Sequence, residues 1–302
     1  MGCKLNYAES ATYERGFTAA GYTTVDWTEK ADLYIINTCS VTGQSDRKSR
    51  NIIRKIHKLA PEAAIVVTGC YAQLRREEIR AIEGVSLVIG ADEKGNLVRD
   101  TLDYIDGVRM DLGRKGPETL SECAREASSL TFAAYSGGEE RTRAFLKVQD
   151  GCDNFCAYCT VPFAGGRSRS ISIEEAIGNA RRIAASGVRE IVITGVNTGD
   201  FGRNTGESFL DLPKALNNGE GIERYRISSS EPNLLTDEMV DWIASGTKFQ
   251  PHFHIPLQSG SDTILKDVGR HYDTEFFARK LEYIRSKMKP APGEKNPDGP
   301  LK

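Results

Sequence analysis

Three cysteines crowd one short stretch, "DGCDNFCAYCTVPF", where Cys152, Cys156 and Cys159 are spaced x3 and then x2. Thiolates are soft ligands that favour iron–sulfur clusters or zinc. A cubane has four irons, so three cysteines leave one iron open to another molecule. Zinc would want a fourth Cys or His close by, and no His lies between residues 58 and 251. An unusual zinc site and three incidental core cysteines are the alternatives. The polar and aromatic residues between the thiols speak against incidental packing.

Cys3, Cys39 and Cys70 form a second set. Any one of them alone would read as a small buried hydrophobe. "ADLYIINTC" and "AAIVVTGC" are strand-like runs ending on Cys39 and Cys70, and Cys3 leads into a helix. Strand-end thiols in one sheet can converge, which predicts a second cluster with an open iron. Cys123 has no such partners and reads as structural or free. Asn197, Ser229, Glu231 and Gln258 fall where later strands should end, as cofactor contacts or as loop caps. His252 and His254 alternate along one predicted strand, so they share a face and are expected to pack. Arg47, Lys48, Arg50, Arg54, Lys55 and Lys58 crowd one predicted helix, as a solvated face or as phosphate contacts.

The elements that must position these groups follow from periodicity. Residues 1–106 alternate strand-like and helix-like segments, which implies a parallel sheet flanked by helices. The carboxyl edge of such a sheet is where ligands sit. Residues 107–143 read as a connector. Over 144–289 four strand–helix units follow, with strands at "AFLKVQDGC", "REIVITGVNTG", "YRISSSEP" and "HFHIPLQSG". Ser172 is the expected cap of the first of these helices. The pattern is that of a partial (β/α) barrel with its reactive groups at strand carboxyl ends. Residues 290–302 are rich in proline and glycine and read as a disordered tail.

Bulk properties narrow the class. The 302 residues carry 40 Lys plus Arg against 42 Asp plus Glu, so a net charge of -2 gives no global attraction for polyanions. No apolar run approaches the ~20 residues a membrane helix needs, and the first residues lack a signal core. The expected compartment is the cytoplasm, where thiols stay reduced. Seven cysteines there argue for metal or redox chemistry.

The CxxxCxxC motif, with Tyr158 just before its last cysteine, resembles that of the radical S-adenosylmethionine enzymes. With the second triad, the chain resembles one family within them, the methylthiotransferases. "GCKLNYAES", "INTCSVT", "VTGCYAQ", "VQDGCDNFCAYCTVPF", "ITGVNTG", "RISSSEP" and "HIPLQSGSD" are similar to its segments, in its order. The resemblance implies an α/β fold, with an N-terminal parallel α/β sheet domain followed by a partial (β/α) radical-SAM barrel. It implies two [4Fe–4S] clusters and S-adenosyl-L-methionine. Cys152, Cys156 and Cys159 would hold the catalytic cluster, and Cys3, Cys39 and Cys70 the cluster that carries sulfur. Tyr158, Asn197, Ser229 and Gln258 would contact the cofactor. A radical made from S-adenosylmethionine would take hydrogen from C2 of a modified adenosine beside the anticodon, and a second S-adenosylmethionine would supply the methyl. The implied partners are a tRNA anticodon stem-loop and an electron donor, with no membrane.

"GCKLN", "GADEKGNL" and "HIPLQSGS" are similar to the branch that acts on threonylcarbamoyladenosine. Isopentenyladenosine in tRNA, a ribosomal-protein aspartate and a non-catalytic iron–sulfur or metal-binding fragment are the alternatives. Three departures stand out. The family carries a full strand before its first cysteine. Beyond Pro290 it continues into two more barrel strands and a small tRNA-binding β-barrel, so the chain is expected to be a fragment with an exposed sheet edge and poor solubility. Gly165 stands where the family usually has Arg, leaving Arg167 and Arg169 as the nearby cations.

Overall fold

The computed structural model describes residues 4–40, 42–91, 93–110 and 143–288. Cys3, Cys123, most of the connector and the tail lie outside the described residues.

The first half runs α1 (Lys4–Ala19), β1 (Leu33–Thr38), α2 (Gly43–Leu59), β2 (Ala64–Gly69), α3 (Cys70–Leu74), α4 (Arg76–Arg80), β3 (Val85–Ile89) and α5 (Leu97–Met110). The strands are parallel in the order β1-β2-β3. They are apolar almost throughout because both faces are covered. Successive residues of β2 serve opposite faces: Ile65 and Val67 pack with Ile53 and Ile56 of α2, whereas Val66 packs with Tyr13 and Phe17 of α1. Thr42 caps α2, its hydroxyl accepting from the Ser45 N–H at 3.2 Å. Between β2 and β3 the chain forms two short helices rather than one. Arg75, at φ -137 and ψ 46, ends α3 before α4 begins.

The second half runs β4 (Arg143–Lys147), β5 (Gln149–Asp150), α6 (Val161–Gly165), β6 (Arg169–Ser170), α7 (Ile173–Ala185), β7 (Glu190–Thr194), α8 (Asp211–Asn217), β8 (Arg224–Ile227), α9 (Asp237–Ala244), α10 (Asp262–Asp267) and α11 (Thr274–Lys287). Its main sheet is again parallel, in the order β4-β7-β8. Leu146, Ile191, Ile193 and Tyr225 from the strands pack with Ile183, Leu212 and Val240 from the helices. Ser172 caps α7 as its sequence predicts, accepting from the Glu175 N–H at 3.1 Å.

One expected strand does not form. "HFHIPLQSG" makes only one isolated bridge, His254 with Ser229, and Phe249 just ahead of it makes another with Tyr225. Pro251 and Pro256 lack the N–H that a ladder needs, and Gln258 takes φ 69, outside any strand. His252 and His254 are therefore exposed rather than packed.

Candidate functional site

Cys39 and Cys70 immediately follow β1 and β2, and Thr38 and Gly69 are partners in the register. The two cysteines therefore leave adjacent strands side by side, on strands about 4.8 Å apart. Gly69 is required for this turn. Its φ is 95, and a Cβ there would stand 2.2 Å from the Thr38 carbonyl oxygen. Asn6 of α1 locks onto the same corner. Its Nδ2 donates to Asn37 Oδ1 at 3.0 Å and to the Thr38 carbonyl at 2.9 Å, and Asn37 Nδ2 returns a bond to the Asn6 carbonyl at 3.0 Å.

The other thiols sit on the loop after β5. Cys152 and Cys156 are buried and Cys159 is half-buried. Gly151, at φ 68, lets the loop pass under the Arg167 carbonyl, 2.0 Å from where a Cβ would be. The Cys152 N–H then donates to the Gly166 carbonyl at 3.1 Å, and the Cys159 N–H to the Cys156 carbonyl at 2.8 Å. Phe155 adopts φ 46, a left-handed conformation that costs a bulky side chain and marks functional loops. Burial pushes the Cys152 thiol up to about 11. It raises Cys156 as well, against the opposing charge of Arg270.

A polar wall joins this loop to the strand ends. Arg270 pairs with the Glu231 carboxylate and donates to the Tyr158 hydroxyl, which donates in turn to Gln258 Oε1 at 2.8 Å. The Glu231 N–H donates to Asn197 Oδ1 at 3.1 Å, and Asn197 Nδ2 to Asp200 at 2.9 Å. Tyr158, Asn197 and Gln258 thus belong to one network with Glu231. Ser229 joins through its backbone, its carbonyl accepting from the Thr198 N–H and hydroxyl. Sequence reasoning missed Arg270, which ties the network together. Its signal is weak, a lone Arg between two predicted helices.

The two halves meet at a buried charge cluster that sequence reasoning also missed. Lys147 reaches Glu9 at 2.6 Å and Asp150 at 2.8 Å. Lys94 reaches the same two carboxylates at 2.7 Å each. Arg169 adds a contact to Asp150 at 3.2 Å, and the Gly165 carbonyl accepts from Arg169 at 2.6 Å. Burial works against both carboxylates, yet Lys147 and Lys94 outweigh it and hold Glu9 and Asp150 below the usual range, with Arg169 helping at Asp150. Glu9 and Lys94 belong to the first half, Lys147, Asp150 and Arg169 to the second. The cluster is therefore a clamp across the interface.

Beside the clamp lies a cavity of about 320 Å³. Cys39, Cys70, Lys4 and Asn6 line it from the first sheet, and Ala164, Gly165, Thr194, Ser228 and Ser229 from the second. Immediate neighbours of the two cysteine sets touch. The Thr160 hydroxyl, next to Cys159, donates to the Ser40 carbonyl, next to Cys39, at 3.4 Å. α3, which begins at Cys70, packs on α6, which follows Cys159. Cys3 is outside the described residues, but Lys4 beside it lines the cavity.

Residues 1–90 match the model described as Uncharacterized protein family UPF0004, and residues 146–293 match the Radical SAM superfamily. Over 286 residues the chain is 34% identical to the threonylcarbamoyladenosine tRNA methylthiotransferase MtaB of Aquifex aeolicus, covering 94% of this chain and 68% of that protein. The chain belongs to the radical S-adenosylmethionine methylthiotransferase family. It is 40% identical to the MtaB of Bacillus subtilis over 95% of its own length, spanning 63% of that relative. It is 31% identical to the tRNA-2-methylthio-N(6)-dimethylallyladenosine synthase of Desulfosudis oleivorans, covering 94% of this chain and 61% of that one. In fold it matches the radical S-adenosylmethionine methyltransferase TsrM of Kitasatospora setae with a TM-score of 0.63, at 16% identity over 93% of this chain and 62% of that one.

The family implies S-adenosylmethionine and a [4Fe–4S] cluster, and the residues fit both. Three soft thiolates rise from one loop, with a polar wall of Tyr158, Gln258, Arg270 and Glu231 beside them. Ser228, buried and lining the cavity, has a hydroxyl without a hydrogen-bond partner, as does the Arg270 Nε. Such groups are costly unless a ligand satisfies them. Among the described residues no three His, Cys, Asp or Glu side chains gather tightly enough to share one ion. A cubane asks for a wider arrangement, since each thiolate binds its own iron.

Proposed function

We propose that this chain carries the catalytic half-sites of a tRNA methylthiotransferase that acts at C2 of threonylcarbamoyl-modified adenosine next to the anticodon. The observation that carries this reading is a cavity onto which both sheets turn their carboxyl edges, with Cys39 and Cys70 on one side and the helix after Cys159 on the other. We assign residues 1–106 and 144–289 to the two domains concerned, and the cytoplasm as their compartment. Cys152, Cys156 and Cys159 would hold one [4Fe–4S] cluster, and Cys3, Cys39 and Cys70 a second. When bound, the first cluster and S-adenosylmethionine supply radical chemistry at an unactivated C–H bond.

The chain's own residues do the rest. Burial around Cys152 and Cys156 keeps water from the thiolates. Arg270 holds Tyr158 and Glu231 as a wall for the cofactor, and Asn197 fixes Glu231 from behind through its N–H. The clamp of Lys94 and Lys147 on Glu9 and Asp150 sets the distance between the two thiol sets. Phe155 and Phe163 are exposed, stand edge-to-face at 5.7 Å, and carry Arg167 over the Phe155 ring at 4.8 Å. Aromatic faces beside a guanidinium suit the unstacked bases of an anticodon loop. The threonylcarbamoyl substrate rests on the printed names of the MtaB relatives.

The test is mass spectrometry of tRNA nucleosides from cells with and without the full-length gene. The reading expects 2-methylthio-threonylcarbamoyladenosine to disappear with the gene. Loss of the isopentenyladenosine derivative instead would move the substrate, and no change in either would overturn the reading.

A further inference from the structure

α2 begins four residues after Cys39, which lines the cavity. Its buried side is Ser49, Ile53 and Ile56. Its outer side carries Arg47, Lys48, Arg54, Lys55 and Lys58, all exposed. At 100° per residue these five fall within an arc of about 120°, and at 1.5 Å per residue they span roughly 16 Å. Gln44 and Asn51 are the other exposed residues of that arc. Among the described residues none of the five forms an ion pair. Arg50, at the border of the arc, is occupied instead by Glu78 and the Tyr71 hydroxyl, each at 2.7 Å. Asp46, the only acidic residue of α2, lies on the far side of the helix.

Five cations without an acidic partner among the described residues share one stripe, with Arg54 and Lys55 four and three residues before Lys58, where like charges meet. They repel one another, and nothing in the fold needs them. The arc holds no apolar residue, whereas the centre of a protein–protein interface is depleted in charge and rich in aromatics. A row of Lys and Arg without base-reading or apolar groups is the signature of backbone contact with nucleic acid.

We infer that the outer stripe of α2 binds the phosphate backbone of the tRNA substrate and leads its anticodon arm to the cavity mouth. The inference rests on the tRNA reading above and adds the surface that grips the RNA. Arg50, held by Glu78 and Tyr71, fixes the helix and does not take part.

Binding of an anticodon stem-loop to the full chain, measured from 50 to 200 mM salt, tests it. Each phosphate contact contributes about 0.7 to 0.9 to the slope of log K against log salt. The triple variant Arg47→Gln, Arg54→Gln, Lys58→Gln is expected to lower that slope by about 2 to 3, with a loss of affinity at least tenfold at low salt. The double variant Arg47→Lys, Arg54→Lys is expected to retain the slope. Circular dichroism confirms that the helix persists, and release of 5′-deoxyadenosine without RNA should be unchanged. If the unaltered chain binds no RNA, both this inference and the tRNA reading fail. If it binds and the triple variant keeps the affinity and the slope, only the inference fails. Unchanged RNA binding with slower reduction by an acidic electron-transfer protein would give the stripe to that partner and overturn the RNA assignment.

Discussion

The clamp between the halves can be taken apart by a double-mutant cycle. Lys147 is 3% exposed and its ammonium touches Glu9 of α1 and Asp150 of the second half. Lys147→Met keeps the aliphatic stem and removes the charge. Breaking a buried pair from one side costs about 3–5 kcal/mol. The lower end applies here, because Lys94 still faces both carboxylates and Arg169 still faces Asp150. The expected loss is therefore about 3 kcal/mol. With Glu9→Gln as the second change, the coupling should exceed about 1 kcal/mol, as for members of one buried network. Exposed Asp237 paired with Lys280 should give less than about 1 kcal/mol. The chain has two tryptophans, Trp27 in the first half and Trp242 in the second. Single-tryptophan variants in urea therefore follow each half separately, and Lys147→Met should shift both transitions. A coupling below about 0.3 kcal/mol, or a shift confined to one half, would refute the clamp. The pH dependence has a definite sign. Glu9 and Asp150 are held below their ordinary range, so their stabilisation is present above about pH 4 and is lost as pH falls further. Lys94 is held above its ordinary range against the cost of burial, by Asp150 and Glu9, so its share is present below about pH 10 and is lost only as pH rises beyond that. The clamp's own contribution to the urea midpoint should be flat between these limits, and Lys147→Met should show a shallower acid loss.

Arg270→Met should leave iron content unchanged while slowing 5′-deoxyadenosine release roughly ten- to a hundredfold, since it frees Tyr158 and Glu231 to drift. Loss of iron instead would make Arg270 a structural residue of the loop. Gly69→Ala should destabilise the first half by more than about 2 kcal/mol in urea, because its φ of 95 and the nearby Thr38 carbonyl leave no room for a methyl. A wild-type midpoint would show that the strand end relaxes freely.

Sequence was most informative where periodicity and spacing act over short range. The cysteines after β1 and β2 could be placed because apolar runs stop on them, and Ser172 because capping is local. The strand expected over "HFHIPLQSG" does not form despite its alternation, because Pro256 within it and Pro251 just before it each remove a ladder bond. The clamp was illegible for a different reason. Glu9, Lys94 and Lys147 are distant in sequence and each is an ordinary charge on an amphipathic element, so only tertiary packing reveals that they face one another. Arg270 was lost in the same way, since its partners Tyr158 and Glu231 come from two other segments. Beside Gly165 the local positive charge comes from Arg169. Arg169 donates to the Gly165 carbonyl and places its own charge on Asp150.

We propose that two thiol sets, built on two sheets, serve different tasks: Cys39 and Cys70 line the cavity, and Cys152, Cys156 and Cys159 lie on the loop that leads into α6, a helix that also lines it. Anaerobic reconstitution of the unaltered chain and of Cys39→Ala, with iron counted and 5′-deoxyadenosine measured after reduction, addresses it directly. About eight irons are expected for the unaltered chain and about four for the variant, as two cubanes and one require, with S-adenosylmethionine still cleaved in both. About four irons in the unaltered chain, or loss of cleavage in Cys39→Ala, would contradict it.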